Sequence, residues 1–575
     1  MSLFKKANIS ALLIPLFFLT LSLIINGYQR GRPVDLILVL HKLDPQTFQK
    51  DLFVQTIGPL SYTLPHQLIA LLAQLFRVTN HPEVIFFPLY LVSTLFLLLI
   101  VYQIAQLLLK HKTAASLFLL LFILNFRAIS LGPQSYFLAE GRPQISPNYL
   151  ALPFQLLSLL LLFKNKYLFS LVVAGVALNV HPLTSIYAYI ILVFYYLINL
   201  KKFTTKQLFL WWTTSFLVAS PVLIGVLSSP RINFIIDEKT FEIARYTTRG
   251  LTTFLHFPFS SFFYSTLIFV FVLVCIKIFP PQKRNLVLTV FATVILMISV
   301  NFLMVDVFRL PFGLMFSFLR ASIFLDFFGL IAIVNYLYQS WQKRRIPKLL
   351  IILVFASITF SLYRPFAFIV ILILMFEFSR LLAPKHGLIL KGIVSVLGYI
   401  SVGGLIIILL HPPLPSSPYL FYLLREKPHL GDSAPPPERE KSWIDVQRWS
   451  NTTPKNSLFL ILVRNKAFNL YSQRATINFG ETVGNLIFSP KYALIYIQQM
   501  EDLGFNFTEM EKENNVAQQG EKIFQEIPES KIRNFSNRYE VDYFIVYRYK
   551  KIGFPLAYQN DDFSVYKTDV VSSER

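Results

Sequence analysis

The chain has 575 residues, 54% of them hydrophobic, 16% aromatic and 15% charged, against about 25% charged in soluble domains. Apolar runs of roughly 18–25 residues, long enough to cross a ~30 Å hydrocarbon layer, recur from Ile9 to Leu410. A soluble enzyme, a disordered chain and a secreted disulfide scaffold are excluded, since the single cysteine, Cys275, lies inside an apolar run. The net charge is +22, yet from His411 to Arg575 the 20 basic and 20 acidic residues balance. The excess lies wholly in the apolar part, so it marks membrane sidedness and not a nucleic-acid partner.

In chain order, the apolar runs and basic turns predict about 13 spans. They fall near 9–26, 83–108, 114–131, 148–163, 167–181, 183–200, 207–228, 262–279, 285–302, 319–338, 347–363, 365–382 and 388–410. Alternate turns are basic, as at Lys110 and Lys112, Lys201 and Lys202, or Arg344 and Arg345. The N-terminus, with Lys5 and Lys6, is therefore expected in the cytoplasm and the C-terminal segment outside it. The first run reads as an uncleaved anchor, because no small-residue cleavage site follows it. A stretch rich in Pro and Ser, 411–437, separates the bundle (1–410) from a tail (438–575). In the tail, Trp443–Ser450 and Pro490–Leu503 read as helices; Ser457–Val463, Ala475–Phe479, Val541–Tyr547 and Phe563–Thr568 read as strands. The fold class expected is mainly α: a polytopic transmembrane helical bundle with a small C-terminal extracytoplasmic α/β domain.

The 11 acidic residues before His411 carry the most information. On this topology Asp35, Asp44, Asp51, Glu83, Glu140, Asp237, Glu238, Glu242 and Asp306 lie in or beside outer segments, Asp326 and Glu377 lie in spans, and none lies in a cytoplasmic turn. The positive-inside bias acts on Lys and Arg and hardly on acids, so it does not explain this pattern. Small-number scatter with short inner turns is one explanation; acid/base chemistry or cation binding at the outer surface is the other.

The first outer segment, 27–82, is long for a connection, with amphipathic stretches at Val34–Leu43 and Leu64–Phe76 suited to an interface. Between them lie Asp44 and Asp51, and a carboxylate desolvated near lipid suits a general base. Asp44 before Pro45 equally fits a turn, and Asp51 a helix cap; the nearby Lys and aromatic side chains favour Asp51 as catalytic. Glu140 and Arg142 in the second outer segment fit a surface ion pair, or an acid facing the first loop. His181 before Pro182 fits a structural turn, or an imidazole that binds a phosphate or sugar hydroxyl. Arg309 and Arg320 flank the start of the tenth span, where a guanidinium can hold a phosphate bidentately or simply snorkel. Asp326 is a buried acid expected to face a partner or cavity, and Glu377 has Arg380 three residues on.

A long first outer loop with aspartates, a second acidic loop, about thirteen spans and an outer α/β tail together resemble the GT-C superfamily of membrane glycosyltransferases. Leu43-Asp44-Pro45 with Phe48 and Asp51-Leu52-Phe53 is similar to the first-loop signature of bacterial members of unassigned substrate. The tail strings Trp449–Leu460, Val541–Val546 and Tyr558–Tyr566 look like the end of such proteins. Trp211-Trp212 is followed by Thr213 inside a span, so the Trp-Trp-Asp string of oligosaccharyltransferases is missing from the tail. The first loop also lacks the Asp-Glu pair of protein O-mannosyltransferases. The resemblance implies a bacterial plasma-membrane enzyme with a polyprenyl-phosphate-linked sugar as donor and an unassigned extracytoplasmic acceptor. Asp51, or else Asp44, would deprotonate the acceptor hydroxyl for an inverting attack, so Asp51→Asn is expected to abolish transfer. Arg320 or Arg309 would steady the leaving phosphate, and Glu140 would position the acceptor or share a divalent cation, magnesium or manganese. A transporter or flippase of lipid-linked sugars, and a non-catalytic envelope assembly factor, are the alternatives. The absence of an internal repeat ranks the transporter second.

Overall fold

The computed structural model describes residues 9–26, 33–57, 64–124, 146–227, 236–248, 253, 259–344, 346–359, 369–374, 377, 438–463, 468–478, 486–487, 489–507 and 516–568. The bundle comprises α1 (Ile9–Asn26), α2 (Pro33–Leu43), α3 (Leu52–Thr56), α4 (Leu64–Leu75), α5 (Phe86–Leu109), α6 (Lys112–Leu124), α7 (Pro147–Phe163) and α8 (Tyr167–Val180). It continues with α9 (Pro182–Ile198), α10 (Thr205–Leu227), α11 (Glu238–Thr247), α12 (Phe259–Ile276), α13 (Pro281–Asn301), α14 (Pro311–Phe316), α15 (Ser322–Lys343) and α16 (Lys348–Thr359). Among the described residues four stretches are long and apolar enough to cross a membrane: Pro82–Leu109, Thr205–Gly225, Pro281–Val307 and Pro311–Lys343. Eight further apolar helices are shorter, from 10 to 17 residues. Candidate span 388–410, the 411–437 linker and most of 365–382 lie outside the described residues.

α15 is the axis of the bundle, with Phe324–Leu337 almost wholly buried, and it packs against α5, α6, α12 and α13. Several polar groups between helices find partners inside, as a low-dielectric interior favours. Gln155 donates to Thr184 and Ser185, at 3.2 and 3.1 Å. Ser215 donates to Leu171 O, and the Tyr189 and Ser215 hydroxyls meet at 2.6 Å. α8 and α10 approach so closely at Gly175 that a Cβ there would stand 2.8 Å from Ser215 O.

The tail holds a five-stranded sheet, order β2-β1-β3-β5-β4, formed by β1 (Leu458–Ile461), β2 (Ala475–Ile477), β3 (Tyr543–Tyr547), β4 (Leu556–Gln559) and β5 (Phe563–Lys567). β1 pairs in parallel with β2 and β3, and β5 pairs antiparallel with β3 and β4. Successive strand residues point to opposite faces. Phe459, Ile461, Ile545 and Val565 pack with Trp443 and Val446 of α17 (Glu438–Ser450). Leu458, Leu460, Phe544 and Val546 pack with α19 (Pro490–Leu503) and α21 (Glu529–Tyr539); α18 (Asn469–Ser472) and α20 (Val516–Glu526) complete the layers.

The second of these apolar clusters does not stop at the tail. It includes Leu38, Phe53 and Ile57 of the first loop, Phe241, Ile243 and Ala244 of α11, Val305 of the turn after α13, and Leu314 of α14. Three connections of the bundle and the tail therefore share one core.

Candidate functional site

The first loop leaves α2, turns, and re-enters at α3. Asp44 stabilises the turn: Oδ1 accepts Gln46 N–H at 3.1 Å and Oδ2 accepts the Thr47 hydroxyl at 3.1 Å. Oδ2 also receives Nζ of Lys455, from the tail, at 2.7 Å. That ammonium, with the turn donors, holds the Asp44 carboxyl below its usual range. His41 closes the turn through Nδ1 to Thr47 O at 2.9 Å. Phe48 is fully buried with φ +65, a left-handed backbone that a bulky residue adopts only when its surroundings impose it.

Asp51 is the N-cap of α3. Its Oδ1 accepts Phe53 N–H and Val54 N–H, at 3.0 and 3.3 Å, and Oδ2 accepts Thr476 N–H from β2 at 3.4 Å. Burial pushes its carboxyl up to about 6, opposed by these donors and by the charge of His41. Beside it, Lys50 Nζ reaches Asp542 Oδ2 at 3.2 Å and Glu540 O at 3.4 Å. Asp542 Oδ2 in turn accepts Leu458 N–H at 2.8 Å. Asp44, Lys50 and Asp51 are thus ranged along one seam between loop and tail, each bonded across it.

Behind the seam, α2 packs on α4, and His66 Nε2 meets Asp35 Oδ1 at 2.9 Å, both side chains buried. The sequence reading passed over this pair. The signal was there: His66 falls in register with Ile69, Ala70 and Ala73 on the inward face of α4, and Asp35 begins the buried run Leu36–Leu40 of α2.

The remaining sequence candidates occupy other places. His181 caps α9, its Nδ1 taking Thr184 N–H at 3.3 Å and lying 2.9 Å from the Thr184 hydroxyl, with Pro182 at the first helical position. Arg309 has φ +52 and bonds Glu238 Oε1 at 3.2 Å, with Glu242 at 3.6 Å. Glu242 is itself held by Arg245 at 2.7 Å. Arg320 sits in the 3-10 turn Phe318–Ala321 that starts α15. It is close enough to Tyr187 for their charges to interact, and the Tyr187 hydroxyl donates to Phe316 O and Ser317 O. Asp326 is buried on α15. Glu377 accepts the Tyr336 hydroxyl at 2.7 Å, while Arg380 lies outside the described residues, as do Glu140 and Arg142. Neither Asp44 nor Asp51 is hydrogen-bonded to Arg309.

A divalent cation needs several oxygen or nitrogen donors in one place. Among the described residues no three of His, Cys, Asp or Glu gather that way, and Asp44 already neutralises Lys455. Compared with protein-family models, with curated proteins and with solved structures, the chain matches none.

Proposed function

We propose that the protein is an integral membrane glycosyltransferase that moves a sugar from a polyprenyl-phosphate carrier to an extracytoplasmic acceptor with inversion. The observation that carries this reading is the shared core of the first loop, α11, the α13–α14 turn and the tail. It collects at one end of an apolar bundle the segments that the charge pattern assigns to the outer side. Carboxylates crowd that end, and Arg309 and Arg320 stand on the last of its connections.

In this reading a first-loop carboxylate takes the acceptor proton. The acceptor oxygen bonds to the anomeric carbon, and the carbon–oxygen bond to phosphate breaks, its electron pair leaving with the phosphate. An arginine steadies the charge that grows there. Arg320 or Arg309 is the candidate for this task; the Arg309 guanidinium faces Glu238 and Glu242.

The test is incubation of the purified protein in nanodiscs with defined polyprenyl-phosphate sugars, followed by mass spectrometry of lipid and polymer acceptors. Sugar appearing on an acceptor, with the carrier phosphate released, supports the reading. A panel that yields no transfer while the carrier crosses proteoliposome membranes would make the protein a flippase instead. Asp51→Asn is an informative arm: a base loses its function on this change, whereas a cap keeps an acceptor oxygen.

A further inference from the structure

The register that buries Trp443 and Val446 of α17 carries Trp449, one turn further on, to the rim of the tail's smaller apolar cluster. α17 ends at Ser450. Two sheet residues packed at the same rim are likewise only partly buried: Tyr543 at the start of β3 and Tyr558 on β4. The three rings form a strip. Trp449 stacks on Tyr558, with centroids 5.2 Å apart and planes 21° from parallel, and meets Tyr543 edge-on at 5.9 Å. Phe459 backs Tyr543, stacked on it at 5.0 Å. Among the described residues the indole N–H and the two phenol hydroxyls make no hydrogen bond.

The strip lies at the surface, so a ligand reaches it without any cavity opening. Its rim is polar and close to neutral. Asp445, one turn before Trp449, and Arg448 beside it lie 3.8 Å apart, with side chains 40% and 69% exposed. Gln559, next to Tyr558, is exposed as well. The strip also adjoins the seam with the first loop. Asp542, which precedes Tyr543, holds Lys50, and Lys455, a short way past Trp449, holds Asp44.

Partly exposed rings with bonding groups at their edges are complementary to a sugar. A pyranose presents a face of weakly positive C–H groups, which the negative face of an aromatic ring attracts. It also presents an edge of hydroxyls, which N–H and O–H groups can meet. The paired charges of the rim favour an uncharged ligand over an ionic one. We propose that Trp449, Tyr543 and Tyr558 form a carbohydrate-binding strip on the tail, which holds an uncharged glycan chain beside the seam. That this glycan is the acceptor rests on the transfer reading; that it binds does not. As an acceptor it would be concentrated next to the first loop by contacts remote from the reacting bonds, so the strip sets acceptor affinity and not the chemical step.

The test uses the full-length protein in nanodiscs and four neutral probes: cellohexaose, chitohexaose, maltohexaose and mannohexaose. N-Bromosuccinimide oxidises accessible indoles, and at least one probe is expected to slow oxidation of Trp449 by about 5-fold at saturation. Mass spectrometry of the Trp449 peptide reads this in the wild-type protein, so no variant has to fold. In titrations of the same sugar, Trp449→Ala should weaken binding about 10-fold, and Trp449→Phe, which keeps a ring, less than ~3-fold. Where that sugar serves as acceptor, Trp449→Ala should raise its KM about 10-fold and leave kcat within ~2-fold. Protection by none of the four probes overturns the strip. So does protection only by a peptide copied from the proline-rich stretch 411–437, which would make it a peptide groove. If a hexasaccharide binds and nothing is transferred, the strip stands and the transfer reading falls. If sugar is transferred and Trp449→Ala leaves acceptor KM unchanged, the transfer reading stands and the strip falls.

Discussion

At the scale of the residue, Asp51 is a buried carboxylate whose oxygens face three backbone N–H groups. Truncation leaves those donors without an acceptor, so Asp51→Ala is expected to destabilise the protein by ~1–3 kcal/mol in thermal unfolding. Asparagine keeps an acceptor oxygen and should cost less at every pH. The charge adds a pH signature. Folded Asp51 titrates near about 6 against 3.8 for the ordinary residue, so between these values the native state holds more protons than the unfolded one. Stability from this group is then present at low pH and falls as pH rises through that window, by roughly 3 kcal/mol. Thermal scans from pH 4 to 7 should therefore show Asp51→Asn gaining on wild type as pH rises; parallel curves would refute the assignment. Asp44 has the opposite sign, because Lys455 lowers its carboxyl, and stability from it is lost as pH falls. With its side chain 35% exposed and Lys455 63% exposed, the pair contributes ~0–1 kcal/mol, and Lys455→Met should be nearly silent in unfolding.

At the scale of the element, the parts with local signals were the legible ones. Helix 490–503 was read with both ends in place. Ser489 caps it, Pro490 opens it, and Gly504 closes it at φ +104, each a short-range device. The edge strand β4 was missed, being short, half exposed and bulged between Leu556 and Tyr558. Helices 516–526 and 529–539 were passed over because their composition is polar. The site divides the same way. The capping role of Asp51 and the turn role of Asp44 were open from spacing alone. Lys455, Thr476 and the Asp35–His66 meeting depend on tertiary contacts that no local pattern encodes. One helix contact lends itself to a test of packing. Gly175 lets α8 and α10 touch, and a side chain there would collide with backbone oxygen of Ser215. Gly175→Val is expected to cost about 1–3 kcal/mol, read as a lowered midpoint of heat-induced aggregation in detergent.

At the scale of the whole molecule, one apolar cluster joins the tail to three separate connections of the bundle, so these parts share a side. The single cysteine, Cys275, is buried, which leaves a silent background for labelling. Gln46→Cys and Lys455→Cys should both react with a membrane-impermeant maleimide in intact cells. Lys201→Cys should react only after permeabilisation. Labelling of Gln46→Cys that requires permeabilisation would overturn the proposed orientation.

The bond from Thr476 to Asp51 spans 425 positions of sequence and that from Lys455 to Asp44 spans 411. Ribosomal synthesis at about 5–20 residues per second leaves the loop waiting some tens of seconds for the residues that complete it. Through that interval the α3 cap lacks one of its three donors and the apolar side chains Leu38, Phe53 and Ile57 have no tail to cover them. A nascent chain stalled before the sheet is made should thus be a favoured target for quality-control proteases, cut first between α2 and α4.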